Sequence, residues 1–457
     1  MVKPTISSSQ TNLNYDVLII GGGVVGTALL YILSRYTNIP KLALIEKYSH
    51  FGQVNSHRNN NSQTLHFGDI ETNYNLEKAK DINKGANLLK NYLRHHHQHR
   101  NKQLYIKTSK IVLGIGEEQV NLLKKRHEEF HTLFPELKIL THEEITKLEP
   151  FVTAGRDQHK PLIALYSADG YGINYDLLAE NFAAEAQKEK DVDIYLTEKV
   201  NNIKKRQGAG YTIITNKNTY RAKIVIFCSG SHSLIFAKKL KYGLEYGLLP
   251  VAGNFFSTTR KFLNGKVYTI QTEKLPFAAI HGDPYVDNIY ETRFGPTAKV
   301  LPLLERHHYA TIPDFVKTSI FRIKGILSLF TILFNPIIFP YVLKNLYYDL
   351  PILGKRSFLK EVRKIIPSIK SCELKFRKGF GGIRPQLVNW QTMNLELGDA
   401  KIIGENIIFN ITPSPGASVC LKNAEQDAQT ILNFFKENYK IDFKFNKTKF
   451  MNELVKS

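Results

Sequence analysis

The first fifty residues sort their apolar positions into three groups. "YDVLII" (15–20) is a short apolar run that turns into glycines, "VVGTALLYILSRY" continues with apolar residues at helical spacing, and "KLALIEK" supplies a second short run. Short apolar runs bounded by turn formers predict buried strands, and the intervening period predicts a helix, so the stretch reads as a βαβ unit. Leu76, Ala79, Ile82, Ala86, Leu89 and Leu93 recur every three or four residues and predict an amphipathic helix ending near "RHHHQHR". From about Asp169 a helix carrying Leu178, Phe182 and Ala186 precedes four short strands, "VDIYLT", "KVNNIKKR", "GYTIITN" and "AKIVIFCSG". The last ends in small residues, as a central parallel strand does. Between Tyr246 and Lys370, β-like runs ("LLPVAGNFFST", "KVYTIQT") mix with a very apolar segment. The tail holds a strand, "NIIFNI", then "TPSPGASVC", then a helix with Cys420, Ala424, Ala428, Ile431 and Phe435 on one face.

One stretch fits no period. "NSQTLHFGDIETNY" (61–74) is largely polar, with a histidine and two carboxylates, directly after an Asn-rich patch, "NSHRNNNS", polar enough to predict a mobile loop. Glu71 and Asn73 are expected to begin the following helix, where an acid in the first turn complements the dipole.

Composition narrows the class. The chain of 457 residues is 43% hydrophobic, enough for two or three packed domains. Lys and Arg number 62 against 41 Asp and Glu, a net charge of +21, so its partners are expected to be negative: nucleic acid, an anionic membrane surface or small polyanions. Cys228, Cys372 and Cys420 are odd in number and share no CxxC spacing, which speaks against a disulfide framework and a zinc site. "RHHHQHR" ends an amphipathic helix without a carboxylate or cysteine nearby, so no metal site is expected there. The N-terminal residues lack the apolar core of a signal peptide, and no targeting signal is evident.

Gly21, Gly23 and Gly26 form GxGxxG between the first strand and helix, the context in which this pattern predicts a dinucleotide site. Gly21 permits the tight turn, Gly23 lets backbone approach a pyrophosphate, and Gly26 lets the helix pack closely on the sheet. Glu46, at the end of the second strand, suits ribose hydroxyls and disfavours a 2′-phosphate, so FAD or NAD is expected. The fold is interrupted and resumes near Asp169 and again at the C-terminus, as where an FAD domain is assembled from separated segments. In "SPGAS" the Pro and Gly are expected to open the last helix, its positive end facing the pyrimidine edge of a flavin.

Together these features resemble the D-amino acid oxidase-like superfamily of FAD oxidoreductases and, within it, the malate:quinone oxidoreductases, from Asp16 to Phe435. The blocks that carry the match are "NSQTLHFGDIETNY", "GLLPVAGNFF", "LPFAAIHGDP", "TRFGPTA", "LPILGKRSFL", "GFGGIRPQL" and "NITPSPGASVCLKNA". Hydroxyglutarate oxidases share a related pattern with glycine where this chain has Gln63. The resemblance implies an α/β fold, α+β overall, with a split Rossmann-like FAD-binding domain (14–84, 166–246 and 371–440) and a β-rich substrate domain (85–165 and 247–370). It implies oxidation of (S)-malate to oxaloacetate with electrons passed to a membrane quinone, and no nucleic-acid partner. The peripheral, monotopic location expected is the cytoplasmic side of a bacterial-type membrane or the mitochondrial inner membrane. FAD is expected to contact Gly21, Gly23, Val24, Val25, Gly26, Glu46, Lys47, Asn61, Ser62, Thr64, Val200, Ser229, Gly230, Gly382 and the run Pro415, Gly416, Ala417 and Ser418. The alternatives are an L-2-hydroxyglutarate dehydrogenase of the same superfamily and a non-catalytic protein built on the FAD fold.

Malate oxidation requires that both carboxylates be held, the hydroxyl proton removed and the C2 hydrogen delivered to flavin as hydride. Arg384, in "GGIRPQL", has the planar fork for a bidentate carboxylate contact and is the expected clamp. His66 and His281 are the acid/base candidates, because imidazole titrates near neutral pH. Arg293 is a further candidate for the second carboxylate. Gly325 to Leu343 is nineteen residues without a charge. As one helix it would span about 28 Å, barely the hydrocarbon thickness, and Asn335, Pro336 and Pro340 interrupt it. An apolar loop or short helix pair (323–344), flanked by Lys324 and Lys344 and dipping into one leaflet, is expected instead.

Overall fold

The computed structural model describes residues 13–271, 280–348, 350, 352–396, 400–411 and 415–456. In chain order, strand β1 (Leu13–Ile20) leads through helix α1 (Val24–Tyr36) to β2 (Leu42–Ile45), and α2 (Leu76–His95) follows the polar stretch. Next come β3 (Tyr105–Ile115), β4 (Leu162–Ile173), α3 (Tyr175–Glu189), β5 (Asp193–Tyr195), β6 (Val200–Lys205), β7 (Tyr211–Thr215) and β8 (Thr219–Phe227). The middle holds β9 (Tyr246–Ala252), β10 (Lys266–Thr269), β11 (His281–Tyr285), β12 (Asn288–Gly295), α4 (Ile323–Leu333) and α5 (Ile338–Tyr347). The chain returns through β13 (Ile383–Asn389), β14 (Ala400–Gly404), β15 (Ile407–Ile411) and α6 (Cys420–Phe434).

Three sheets organise these elements. The first runs β14-β15-β8-β1-β2-β5, with β6 and β7 continuing antiparallel from β8. Its centre, β15-β8-β1-β2-β5, is parallel, which requires both faces to be covered. Leu18, Ile19, Val225 and Ile226 are accordingly fully buried, with α1, α3 and α6 packed on one face. The second, eight-stranded sheet carries β12-β11-β10-β3-β4, and a four-stranded sheet pairs β9 with β13. The expected segment boundaries at 84/85 and 165/166 fall inside α2 and β4.

Two local expectations change. The Asn-rich patch is pinned rather than mobile: Asn60 donates to the Val54 carbonyl at 2.7 Å, Asn61 to those of Asn55 (3.0 Å) and His57 (2.9 Å), and Arg58 pairs with Asp176 at 2.6 Å. Side chains that satisfy the loop's own backbone replace the apolar core that a loop lacks. The Pro415–Gly416 pair forms a turn, closed by a bond from Ser418 N–H to the Pro415 carbonyl (2.7 Å), and α6 begins only at Cys420.

The apolar segment forms two short helices, α4 and α5, meeting at a bend of 82°. No single helix among the described residues is long and apolar enough to cross a membrane. One face of the pair packs through Ile332, Ile338 and Val342 on Leu249, Val251, Val388 and Trp390 of the four-stranded sheet and its adjoining turn. The other leaves Phe330, Phe334 and Leu343 about half exposed.

Candidate active site

The βαβ turn is built for a diphosphate. Gly21 has φ +115°, a region that L side chains rarely adopt, and a Cβ there would meet the Cys228 carbonyl oxygen at 2.5 Å. A Cβ on Gly26 would lie 2.0 Å from the Gly21 carbonyl oxygen, so only glycine lets α1 approach the strand ends this closely. Gly23 differs: its Cβ position meets nothing nearer than the Ser56 hydroxyl at 3.3 Å and borders open space. That space is a cavity of about 420 Å³, lined by Gly21, Gly23, Val24, Val25, Glu46, Lys47, Val200, Ser229 and Gly230 among others. A hollow at the carboxyl ends of parallel strands, against a helix N-terminus, fits a dinucleotide.

Glu46 is half-buried there, and desolvation raises its pKa against the pull of two backbone donors, Gly22 N–H (2.6 Å) and Tyr48 N–H (2.9 Å). Its carboxylate therefore ties the turn to the second strand as well as facing the cavity. Lys47 pairs with Glu305, which also accepts from the Tyr48 hydroxyl.

Val24, Val25, Asn55 and Ser56 are shared with a second, smaller cavity of about 160 Å³. Its walls bring together distant segments: Asn61, Ser62, Thr64 and His66 from the polar stretch, Gly382 and Arg384 from β13 and its approach, and Pro415 to Ser418 from the turn before α6. The polar stretch is buried for most of its length. Its hydrogen bonds run to the junction of β4 and α3: the Tyr175 hydroxyl donates to the Thr64 carbonyl (2.8 Å), and Ile173 N–H to that of Gln63 (2.6 Å).

Arg384 faces this cavity, and among the described residues its guanidinium pairs with no carboxylate. Burial lowers its pKa, an unfavourable state for a cation that a bound anion would relieve. His66 is placed differently. Its backbone N–H donates to the Ser418 hydroxyl at 3.0 Å, and its Nδ1 lies 2.9 Å from Glu71 Oε1. Glu71 thus does not begin the helix. Asn75 caps α2 instead, accepting from Lys78 N–H at 2.9 Å, while Glu71 is buried behind the histidine.

His281 and Arg293 line neither cavity. Arg293 is fully buried on β12, 3.0 Å from Asp283, which lies 3.4 Å from Lys266. The His281 ring packs against that of Tyr268, centroids 4.8 Å apart. Lys266 Nζ donates to the Ser62 carbonyl at 2.8 Å and Arg293 to those of Arg58 and Asn61 at 3.4 Å, so the cluster braces the polar stretch from behind. Sequence reading placed Glu71 at a helix start and gave Lys110 and Asp283 no role, because an acid or lysine carries no signal of its partner until the chain folds. The acid five residues after His66 was the one available clue.

Comparison with known proteins agrees with this architecture. The malate:quinone oxidoreductase family profile matches residues 13–455. A probable malate:quinone oxidoreductase of Campylobacter jejuni is 38% identical over 451 residues, covering 96% of this chain and 99% of that protein. The malate:quinone oxidoreductase of Helicobacter pylori is 38% identical over 444 residues, 94% and 97% of the two chains. Among solved structures, the L-α-glycerophosphate oxidase of Mycoplasma pneumoniae, with FAD bound, superposes with a TM-score of 0.65 at 21% identity over 92% of this chain and 95% of that one. Glycine oxidase of Geobacillus kaustophilus gives 0.64 at 16%, with coverage of 92% and 95%. The fold is that of FAD-dependent oxidases, and the chain belongs to the malate:quinone oxidoreductase family.

Proposed function

We propose that this protein is an FAD-dependent oxidoreductase that oxidises (S)-malate to oxaloacetate and reduces a quinone. The observation that carries the reading is the small cavity, where a guanidinium with no carboxylate partner among the described residues and a histidine share the lining beside the dinucleotide hollow. When bound, FAD supplies the acceptor for the hydrogen on malate C2 and the electrons passed to quinone.

Arg384 holds one carboxylate through its fork and orients C2, a contact that also satisfies a desolvated cation. His66 accepts the hydroxyl proton, which prepares the C–O bond to become a carbonyl as the hydrogen leaves. Ser418 fixes the histidine's backbone from the opposite wall, and Gly23 leaves room for the diphosphate. Asn61, Ser62, Thr64, Gly382 and the 415–418 turn line the flavin end, and Val200, Ser229 and Gly230 line the nucleotide end. His281 and Arg293 support the substrate loop from behind. The parallel sheet with α1, α3 and α6 is the cofactor domain, and the other two sheets form the substrate domain.

The α4–α5 pair serves as a monotopic anchor. Its inner face is fixed to the sheet by Asn345, which accepts from Ala298 N–H at 2.7 Å, while its outer face offers aromatic and aliphatic side chains to one leaflet. The excess of lysine and arginine favours an anionic surface, where hydrophobic quinone resides.

Anaerobic mixing of the purified holoprotein with malate, lactate and 2-hydroxyglutarate tests the reading. Malate is expected to bleach the flavin absorbance faster than the other two; bleaching by 2-hydroxyglutarate alone would overturn the substrate assignment.

A further inference from the structure

The polar stretch holds more titratable groups than proton removal needs, and their arrangement has a direction. His66 presents Nδ1 to Glu71 Oε1 at 2.9 Å, and among the described residues its Nε2 makes no hydrogen bond. The other Glu71 oxygen accepts from Gly68 N–H at 2.9 Å, and the Glu71 carbonyl accepts from Arg126 at 2.6 Å. Behind it Lys110, fully buried on β3, pairs with Asp69 at 2.6 Å. The carboxylate is therefore held at both oxygens and at its backbone, within the field of a buried cation.

We infer that Glu71 is a positioning residue for His66, fixing the imidazole in the tautomer with its proton on Nδ1 and the Nε2 lone pair turned to the substrate cavity. The inference rests on the proposed reaction. An ionised carboxylate only accepts hydrogen bonds, so the ring nitrogen facing it must carry the proton. The other nitrogen is then the basic one. Burial acts to raise the Glu71 pKa, but Lys110 and His66 together hold it well below the usual carboxylate range. Glu71 thus stays ionised through the neutral range. It also stabilises the imidazolium formed when His66 takes the hydroxyl proton, in the manner of the buried acid of a catalytic triad. The charged or titratable groups around the pair are Asp69 on the same stretch, Arg126 on the helix Glu117–Phe130, Lys110 on β3, Tyr268 on β10 and Arg384 on β13.

The test uses FAD-loaded wild type, Glu71→Gln, His66→Ala and the double variant, with a soluble dye as electron acceptor. Glu71→Gln is expected to lower kcat roughly 10- to 100-fold, leave the malate KM within about threefold, and move the acid limb of kcat/KM down by about one pH unit. The double variant is expected to be no slower than His66→Ala. An unmoved acid limb, or effects that multiply in the double variant, would overturn the inference. If His66→Ala alone keeps wild-type turnover, the proposed base is wrong. The tautomer remains testable without substitution of Glu71: nitrogen NMR of ¹⁵N-histidine holoprotein above the imidazole pKa, with the His66 signal assigned by its loss in His66→Ala. Protonation at Nδ1 supports the inference, and protonation at Nε2 refutes it.

Discussion

Residues 61–74 and the α4–α5 pair invert the usual rule of burial in opposite directions. The first is polar yet largely buried, and the second is apolar yet half exposed. A buried polar group is costly unless it is hydrogen-bonded, and in 61–74 nearly every group finds a partner inside the protein: Glu71 with His66 and Gly68, Asp69 with Lys110, Thr64 with the Tyr268 hydroxyl at 3.1 Å. Asn61, Ser62, Thr64 and His66 of the stretch line the small cavity. Among the described residues nothing covers the outer face of α4 and α5, and Phe330 and Phe334 stack on each other at 4.2 Å without reaching the core. A contiguous exposed apolar patch marks a contact surface. In the proposed function each segment is completed from outside the chain, the first by a small anion and the second by an apolar phase.

If that contrast is right, the two segments fail independently. The largest effect is expected from His66→Ala, which should lower kcat by about 10²- to 10⁴-fold with bound FAD retained. Stopped-flow reduction by malate measures it directly. Arg384→Met should act mainly on substrate, lowering kcat/KM by roughly 10²- to 10³-fold, because it removes one partner of a desolvated ion pair. Saturation kinetics with the dye acceptor separate the two variants, and neither should change liposome binding.

The converse experiment is Phe330→Glu with Phe334→Glu. Each exposed aromatic moved from bilayer to water gives up about 1.5–3 kcal/mol, so the pair should weaken flotation with anionic liposomes by at least about tenfold. Turnover with membrane quinone should fall in step, and turnover with a soluble dye should hold. Loss of dye activity as well would mean that α4 and α5 shape the substrate cavity, and the contrast between the segments would collapse.

Legibility in the sequence follows the same division. The βαβ unit, α2, α3, the four strands and the short helix pair were visible because period and length report directly on burial. The glycine roles were visible because the φ at Gly21 and the close approach at Gly26 leave little choice of residue. The helix after "SPGAS" was expected five residues early, because Pro and Gly mark a turn as readily as a helix start. Glu71 was misplaced for a related reason: an acid before a helix suits the dipole, and only the folded chain shows that Asn75 takes that place. His281 and Arg293 line neither cavity, and sequence does not say which side of a strand faces one.

A smaller effect sharpens the comparison by setting two buried glutamates side by side. Glu149 is as buried as Glu71, but it accepts only from backbone, Asn264 N–H at 2.9 Å and Gly265 N–H at 2.6 Å, with no cation in contact among the described residues. Desolvation therefore wins and its pKa is pushed up to about 7, whereas Lys110 and His66 carry Glu71 the other way. The consequences for stability have opposite signs. A raised carboxyl binds its proton more tightly in the folded state, so its contribution is full below the unfolded pKa and is lost as pH rises from about 4.5 to about 7. A lowered carboxylate contributes above its unfolded pKa and loses that contribution as pH falls. Glu149→Gln should therefore flatten the decline in thermal stability between about pH 5 and 7. Glu71→Gln should leave that window unchanged and cost stability at neutral pH instead. Melting curves of both variants against pH read the two signs, and a decline that Glu149→Gln does not flatten would show that this carboxylate is better solvated than its burial implies.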